Sequence, residues 1–198
     1  MNNGRLNFWG KTKGFLGAPS NTFDDVGPEA LGSALKYFTI WAVIYAALQV
    51  IVFYTLGGGG VFQMLWDLIG FGNAVLYPFP PVLVGLLPVF GAFVSLFISG
   101  SWAHLFVRAF GGRKGYGNTI KAFAYGNTPV FLFGWIPFVG GLFWIWALVL
   151  NIIGIRQLHE ISTGRAIGAV LLSIVALGVI IALIVIFVML LFVVSAAG

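Results

Sequence analysis

After Arg165 the chain carries no charged side chain, and from Ala166 to Ser195 its only hydroxyls are Ser173 and Ser195. A helix of that composition has no water-facing side, and a lipid bilayer is the solvent that accepts it. Begun near Ser162 and continued to Ser195, it would be roughly 50 Å long at 1.5 Å per residue. The hydrocarbon core is only about 30 Å thick. Such a helix must tilt or extend past the bilayer at one end. The rest of the chain points the same way. It is 60% hydrophobic and 8% charged, with a mean hydropathy of +1.04, where a soluble domain carries about 25% charged residues. These values exclude the soluble enzyme classes and predict an all-α integral membrane protein.

Four further apolar segments precede that one, giving five expected transmembrane helices. The first runs from Pro28 to Leu56 and stops at the tetraglycine Gly57 to Gly60. Pro28 suits a first turn, and Glu29 suits the positive end of a helix dipole. The second runs from Pro81 to Phe110, with Pro88 expected to kink it. The third, Asn118 to Gly134, is short and interrupted by Pro129. The fourth, Phe138 to Leu158, follows after a tight turn at Trp135-Ile136-Pro137. Between the first two spans, Phe62, Leu65, Trp66 and Ile69 recur at helical spacing, which predicts an interfacial helix in the first outer loop. Tyr77 to Pro81 then reads as a rigid extended re-entry.

Residues 1–29 hold Arg5, Lys11 and Lys13 but no apolar signal core, so they are expected to form a cytoplasmic or interfacial tail rather than a cleaved leader. A short interfacial helix over Asn21 to Val26, with Phe8, Trp9 and Phe15 dipping into headgroups, and a flexible tail are both consistent with the sequence. Residues 30–198 form the membrane domain. Five crossings from a cytoplasmic N-terminus put all 10 Lys and Arg on one side and the C-terminus on the other. Basic residues favour the cytoplasmic side, so the expected locus is the cell membrane, multi-pass, and the plasma membrane in a prokaryote.

Polar side chains gather at the inner ends of the spans: His104, Arg108, Lys121, Tyr125, Asn127, Asn151, Arg156 and His159. Ionisable groups at membrane depth are functional candidates, here for a headgroup or polar site. Arg108, Lys121 and Arg156 also lie near helix ends, where long side chains snorkel to phosphates. Pro129 frees the carbonyl of Tyr125, which a neighbouring amide such as Asn151 could satisfy. The stripe Gly85, Gly91, Ala92, Ser95, Ser99, Ala103 suits close helix packing. No catalytic, metal or cofactor site is expected. There is no cysteine, there are only two histidines, and four of the five carboxylates fall in the tail or at Glu160. Gly10-Lys11-Thr12 lacks the upstream glycine spacing of a phosphate loop, and Gly112 to Gly117 joins two spans rather than a strand and a helix. The net charge of +5 reports orientation and anionic-lipid contact rather than nucleic acid.

One stretch is distinctive in its order. It reads Gly111-Gly112-Arg113-Lys114-Gly115-Tyr116-Gly117-Asn118-Thr119, then Tyr125-Gly126-Asn127-Thr128-Pro129, Ile136-Pro137, Gly140-Gly141, Trp144 and Trp146. Gly154-Ile155-Arg156-Gln157-Leu158-His159-Glu160-Ile161-Ser162-Thr163-Gly164-Arg165-Ala166 completes it, and Trp9, Pro19 and Phe23 precede it in the tail. Over residues 8–190 this resembles the Yip domain family, the Ypt/Rab-interacting membrane proteins, in its compact prokaryotic-type form. The resemblance implies five spans, a cytoplasmic N-terminus and a non-enzymatic role in membrane organisation or trafficking-like processes, as a scaffold or adaptor. The basic residues at the inner face point to membrane lipids and anionic headgroups as partners, and the small-residue stripe of the second span is open to a second copy or another membrane protein. A kinked second span, a broken third span and converging polar groups support the alternative of a transporter, channel or lipid-handling protein.

Overall fold

The computed structural model describes residues 6–55, 81–136 and 139–197. The interfacial helix of the first outer loop, the tetraglycine stop, most of the Tyr77 to Pro81 re-entry, and Pro137 in the tight turn lie outside the described residues.

Among the described residues the chain is helical, with no strand. The helices are α1 Phe8–Gly17, α2 Pro19–Val26, α3 Leu31–Thr55, α4 Pro81–Ala109, α5 Tyr116–Gly126, α6 Thr128–Phe133, α7 Gly140–His159 and α8 Thr163–Ala197. Four of them are long and apolar enough to cross a bilayer: Leu31–Val52, Gly85–Ala109, Gly140–His159 and Thr163–Ser195. The last has a mean hydropathy of 3.5.

The expected third span is two helices rather than one. Pro129 falls in the first turn of α6, where its missing N–H would have had no helical partner. Asn127, at φ −76 and ψ −1, separates α5 from α6. Pro88 does lie inside α4, which runs on through it.

The N-terminal segment folds into two short helices, α1 and α2. Asn7 caps α1 by accepting a hydrogen bond from the Gly10 N–H at 2.7 Å. Pro19 starts α2 one residue beyond the end of α1. Phe15 does not dip into headgroups. It is fully buried, stacked on Tyr125 and tilted against Phe23. Trp9, in contrast, is 61% exposed, as an interfacial side chain would be.

The core occupies one end of the bundle. Buried residues cluster at Ala34–Ala46 of α3, Leu96–Val107 of α4, and Ala166–Ser173 of α8. That is where α3, α5 and α8 begin and where α4 and α7 end. Beyond it, large apolar side chains of α8 from Leu177 to Val194 face outward, as lipid contact requires. Helix α5 is the pillar of the packed end. Thr119 through Gly126 are all buried, enclosed by α3, α4 and α7.

Two glycines set how closely the elements approach. A Cβ on Gly126 would fall 2.0 Å from Asn151 Oδ1. A Cβ on Gly154 would fall 2.8 Å from the Phe23 ring and 2.9 Å from Ala122 Cβ. Gly154 is therefore the socket in α7 that admits both α5 and the α2 side chain.

Candidate functional site

Apolar burial gives helices little reason to associate in lipid, so packing and interhelical hydrogen bonds must hold them. The polar groups at the packed end do this, and Glu29 is their centre. It follows Pro28 in the short link between α2 and α3. Lys11 Nζ donates to Glu29 Oε2 at 2.5 Å, and Tyr125 OH donates to the same oxygen at 2.9 Å. The Lys11 and Glu29 side chains are each about 10% exposed. Lys121 lies one helical turn before Tyr125, on the same face of α5. Its Nζ donates to the carbonyls of Gly27 at 2.7 Å and Glu29 at 3.1 Å. Lys11 also sits over the Tyr125 ring, 5.7 Å from its centroid. Two ammonium groups thus converge on one carboxylate and two carbonyls.

A second tier lies beside it. Tyr37 OH is 3.1 Å from both Thr12 Oγ1 and Thr128 Oγ1. Trp41 Nε1 donates to Thr12 Oγ1 at 3.3 Å. Thr128 Oγ1 donates to the carbonyl of Tyr125 at 2.6 Å. That carbonyl is the one Pro129 frees, so Thr128 repairs it and Asn151 does not. Thr128 is three residues away and its hydroxyl folds back at once, whereas Asn151 belongs to another helix. Asn127 is occupied locally, its Nδ2 donating to the carbonyl of Phe123 at 2.8 Å.

The hairpin of α1 and α2 is also bolted to α7. Arg156 Nη2 donates to Ser20 Oγ at 3.0 Å, and Gln157 Nε2 donates to Asp24 Oδ2 at 2.9 Å. Arg156 Nε is buried without an acceptor among the described residues.

The two histidines form a separate junction. Thr119 Oγ1 lies 2.7 Å from His104 Nδ1 and 2.9 Å from His159 Nε2. One hydroxyl therefore bridges α4, α5 and α7, donating to one ring and accepting from the other. His159 is only 3% exposed, and its Nδ1 has no partner among the described residues. Replacing Thr119 by valine keeps the shape and removes both bonds. The expected cost is about 1–3 kcal/mol, measured as a lower melting temperature in detergent. An unchanged melting temperature would show that the bridge contributes nothing.

The eight residues expected to form one site thus divide. Lys121 and Tyr125 join the Glu29 lock, Arg156 joins the hairpin seam, and His104 and His159 share Thr119. Asn127 caps α5, Arg108 is exposed, and Asn151 stands apart beside a small pocket. Lys11, Thr12, Glu29, Tyr37, Thr119 and Thr128 were not among them. The signal for α1 was present: Phe8, Thr12 and Phe15 recur at four- and three-residue steps, one face of a helix.

No curated protein and no solved structure matches the chain. The Yip1 domain matches residues 13–186, a range that takes in α2 to α7 whole, half of α1 and most of α8. The chain belongs to the Yip1 domain family of membrane proteins.

Proposed function

We propose that the protein is a non-enzymatic scaffold or adaptor of the cell membrane, with five crossings, a cytoplasmic N-terminal hairpin and an outer C-terminus. The observation that carries the reading is the Glu29 lock. Polar groups that a transport path would present to a solute are bonded to one another and to the hairpin. A rigid bundle that holds its own N-terminal segment against its inner end suits display and assembly. In this reading the α5–α6 pair is the fifth crossing, and Arg108, Arg113 and Arg165 face anionic headgroups. Those three are exposed, and charge of this kind attracts an anionic leaflet at about 1 kcal/mol per residue. A second copy or another membrane protein is the expected partner.

Crosslinking and native mass in mild detergent test the assembly. A strictly monomeric protein without a co-purifying partner would count against it. Reporter fusions test the topology: fusions at Lys114 and Gly198 are expected in opposite compartments, and a shared compartment would remove the five-span reading.

The alternative, a transporter, channel or lipid-handling protein, draws its support from Asn151 and its pocket. Flux of ions or lipids through wild-type liposomes that Asn151→Ala abolishes would favour it over the scaffold.

A further inference from the structure

A pocket of about 100 Å³ lies between α4, α5, α7 and α8, walled by Trp102, Phe123, Leu148, Ile174 and Leu177. Three of those helices are candidate membrane spans, so its open side faces lipid. Asn151 is part of its lining. The carboxamide oxygen of Asn151 is buried, pressed against Gly126, and has no hydrogen-bond partner among the described residues. Its nitrogen makes no hydrogen bond among the described residues either, and is the accessible end of the group. An amide left unpaired in hydrocarbon costs several kcal/mol, so the occupant of the pocket must accept from it.

Apart from Asn151, Ser99, Ser173 and Trp102 the lining is apolar. The other donors of this lining are engaged within the protein. Ser99 Oγ donates to the Ser95 carbonyl, Ser173 Oγ to the Val170 carbonyl, and Trp102 Nε1 to the Ser173 carbonyl. What complements one free N–H in an apolar slot is a slim hydrocarbon bearing one acceptor oxygen.

We propose that the pocket seats the upper acyl segment of a membrane lipid, whose ester carbonyl oxygen accepts a hydrogen bond from Asn151 Nδ2. Depth agrees with this. Asn151 lies about 12 Å along α7 from its end at His159. With the end of α7 set at the outer edge of a headgroup layer about 5–8 Å thick, the amide sits a few ångström inside the hydrocarbon boundary, within reach of an ester. Gly126 makes room for the group: with no Cβ in the way, the amide oxygen lies against α5, and the nitrogen is left as its free end. This site stands whether the protein is a scaffold or a lipid handler, because occupancy requires no transport.

The test compares two lipids that differ only at the acceptor. Delipidated full-length protein is given dioleoyl phosphatidylglycerol or its dialkyl ether analogue, and lipid retention is read by native mass spectrometry. Wild type is expected to retain the ester about fivefold better, the net effect of one hydrogen bond. Asn151→Leu is expected to bring the ester down to the ether level. Ile174→Trp, at the exposed mouth, is expected to lose both lipids with the amide intact. Equal retention of ester and ether by wild type overturns the proposal, as does retention of neither lipid. So does an ester preference that survives Asn151→Leu, or full retention by Ile174→Trp. The wild-type comparison needs no variant to fold.

Discussion

Glu29→Leu is expected to unseat the N-terminal hairpin and to cost about 3–5 kcal/mol, the usual penalty for stranding a buried charge. Lys11 Nζ and Tyr125 OH both donate to Glu29 Oε2, and Lys121 is held on the adjacent carbonyls. Without the carboxylate, two ammonium groups remain in a largely desolvated space with only carbonyls to meet them. The cheapest relief is for α1 to withdraw and carry Lys11 into water. Lys11 is 8% exposed in the folded protein, so tryptic cleavage after it reports the withdrawal directly. Glu29→Leu in detergent is expected to show both a lowered melting temperature and rapid cleavage at that position. Combining it with Lys11→Leu removes a second partner and is expected to recover part of the loss, since deleting both members of a buried pair is far milder than deleting one. A single variant that keeps its melting temperature and its trypsin resistance would show that the lock does not hold the hairpin.

That lock also marks where sequence reading reaches and where it stops. Membrane residence was legible because one property decides it: a helix such as α8, with a mean hydropathy of 3.5, has no stable place in water. The family was legible because its residues come in order along the chain. Pro129 correctly announced a break after Tyr125, since proline acts on its own neighbours. The partners were not legible. Glu29 was read as a helix-dipole residue, which is sound for the local chain, but its main contacts come from Lys11 in α1 and Tyr125 in α5. Tyr37 and Thr128 are 91 positions apart and share a hydrogen bond. No local rule pairs them, because the pairing depends on how three helices and a hairpin meet. The tail was hardest for the same reason. Its α2 has a mildly polar sequence, PSNTFDDV, and only the socket at Gly154 gives Phe23 somewhere to go.

Gly154→Val is expected to break that socket and to separate the two ways the hairpin is held. The new Cβ would stand 2.8 Å from two atoms of the Phe23 ring and 2.9 Å from Ala122 Cβ. The Phe23 ring is fully buried and packed against Phe15 at a centroid distance of 4.8 Å, so it cannot swing aside without disturbing α1. Ala122 belongs to the buried helix α5 and has no flexible end to yield. Overpacking of this kind costs about 1–3 kcal/mol, and valine's γ-methyls push the effect to the upper part of that range. The movable element is α2, held to α7 by Arg156 to Ser20 and Gln157 to Asp24. Its displacement breaks those bonds while the Lys11–Glu29 contact, made by α1 and the link after α2, is expected to persist. Proteolysis in detergent should therefore open the segment around Ser20 to Asp24 and leave Lys11 protected, the reverse of the Glu29→Leu pattern. Phe23→Ala in the Gly154→Val background is expected to restore much of the lost stability, because the methyls then fill the space the ring vacates. If Gly154→Val leaves the melting temperature unchanged, or exposes Lys11 as fully as Glu29→Leu does, the hairpin is held as one unit and the α2 socket has no separate role.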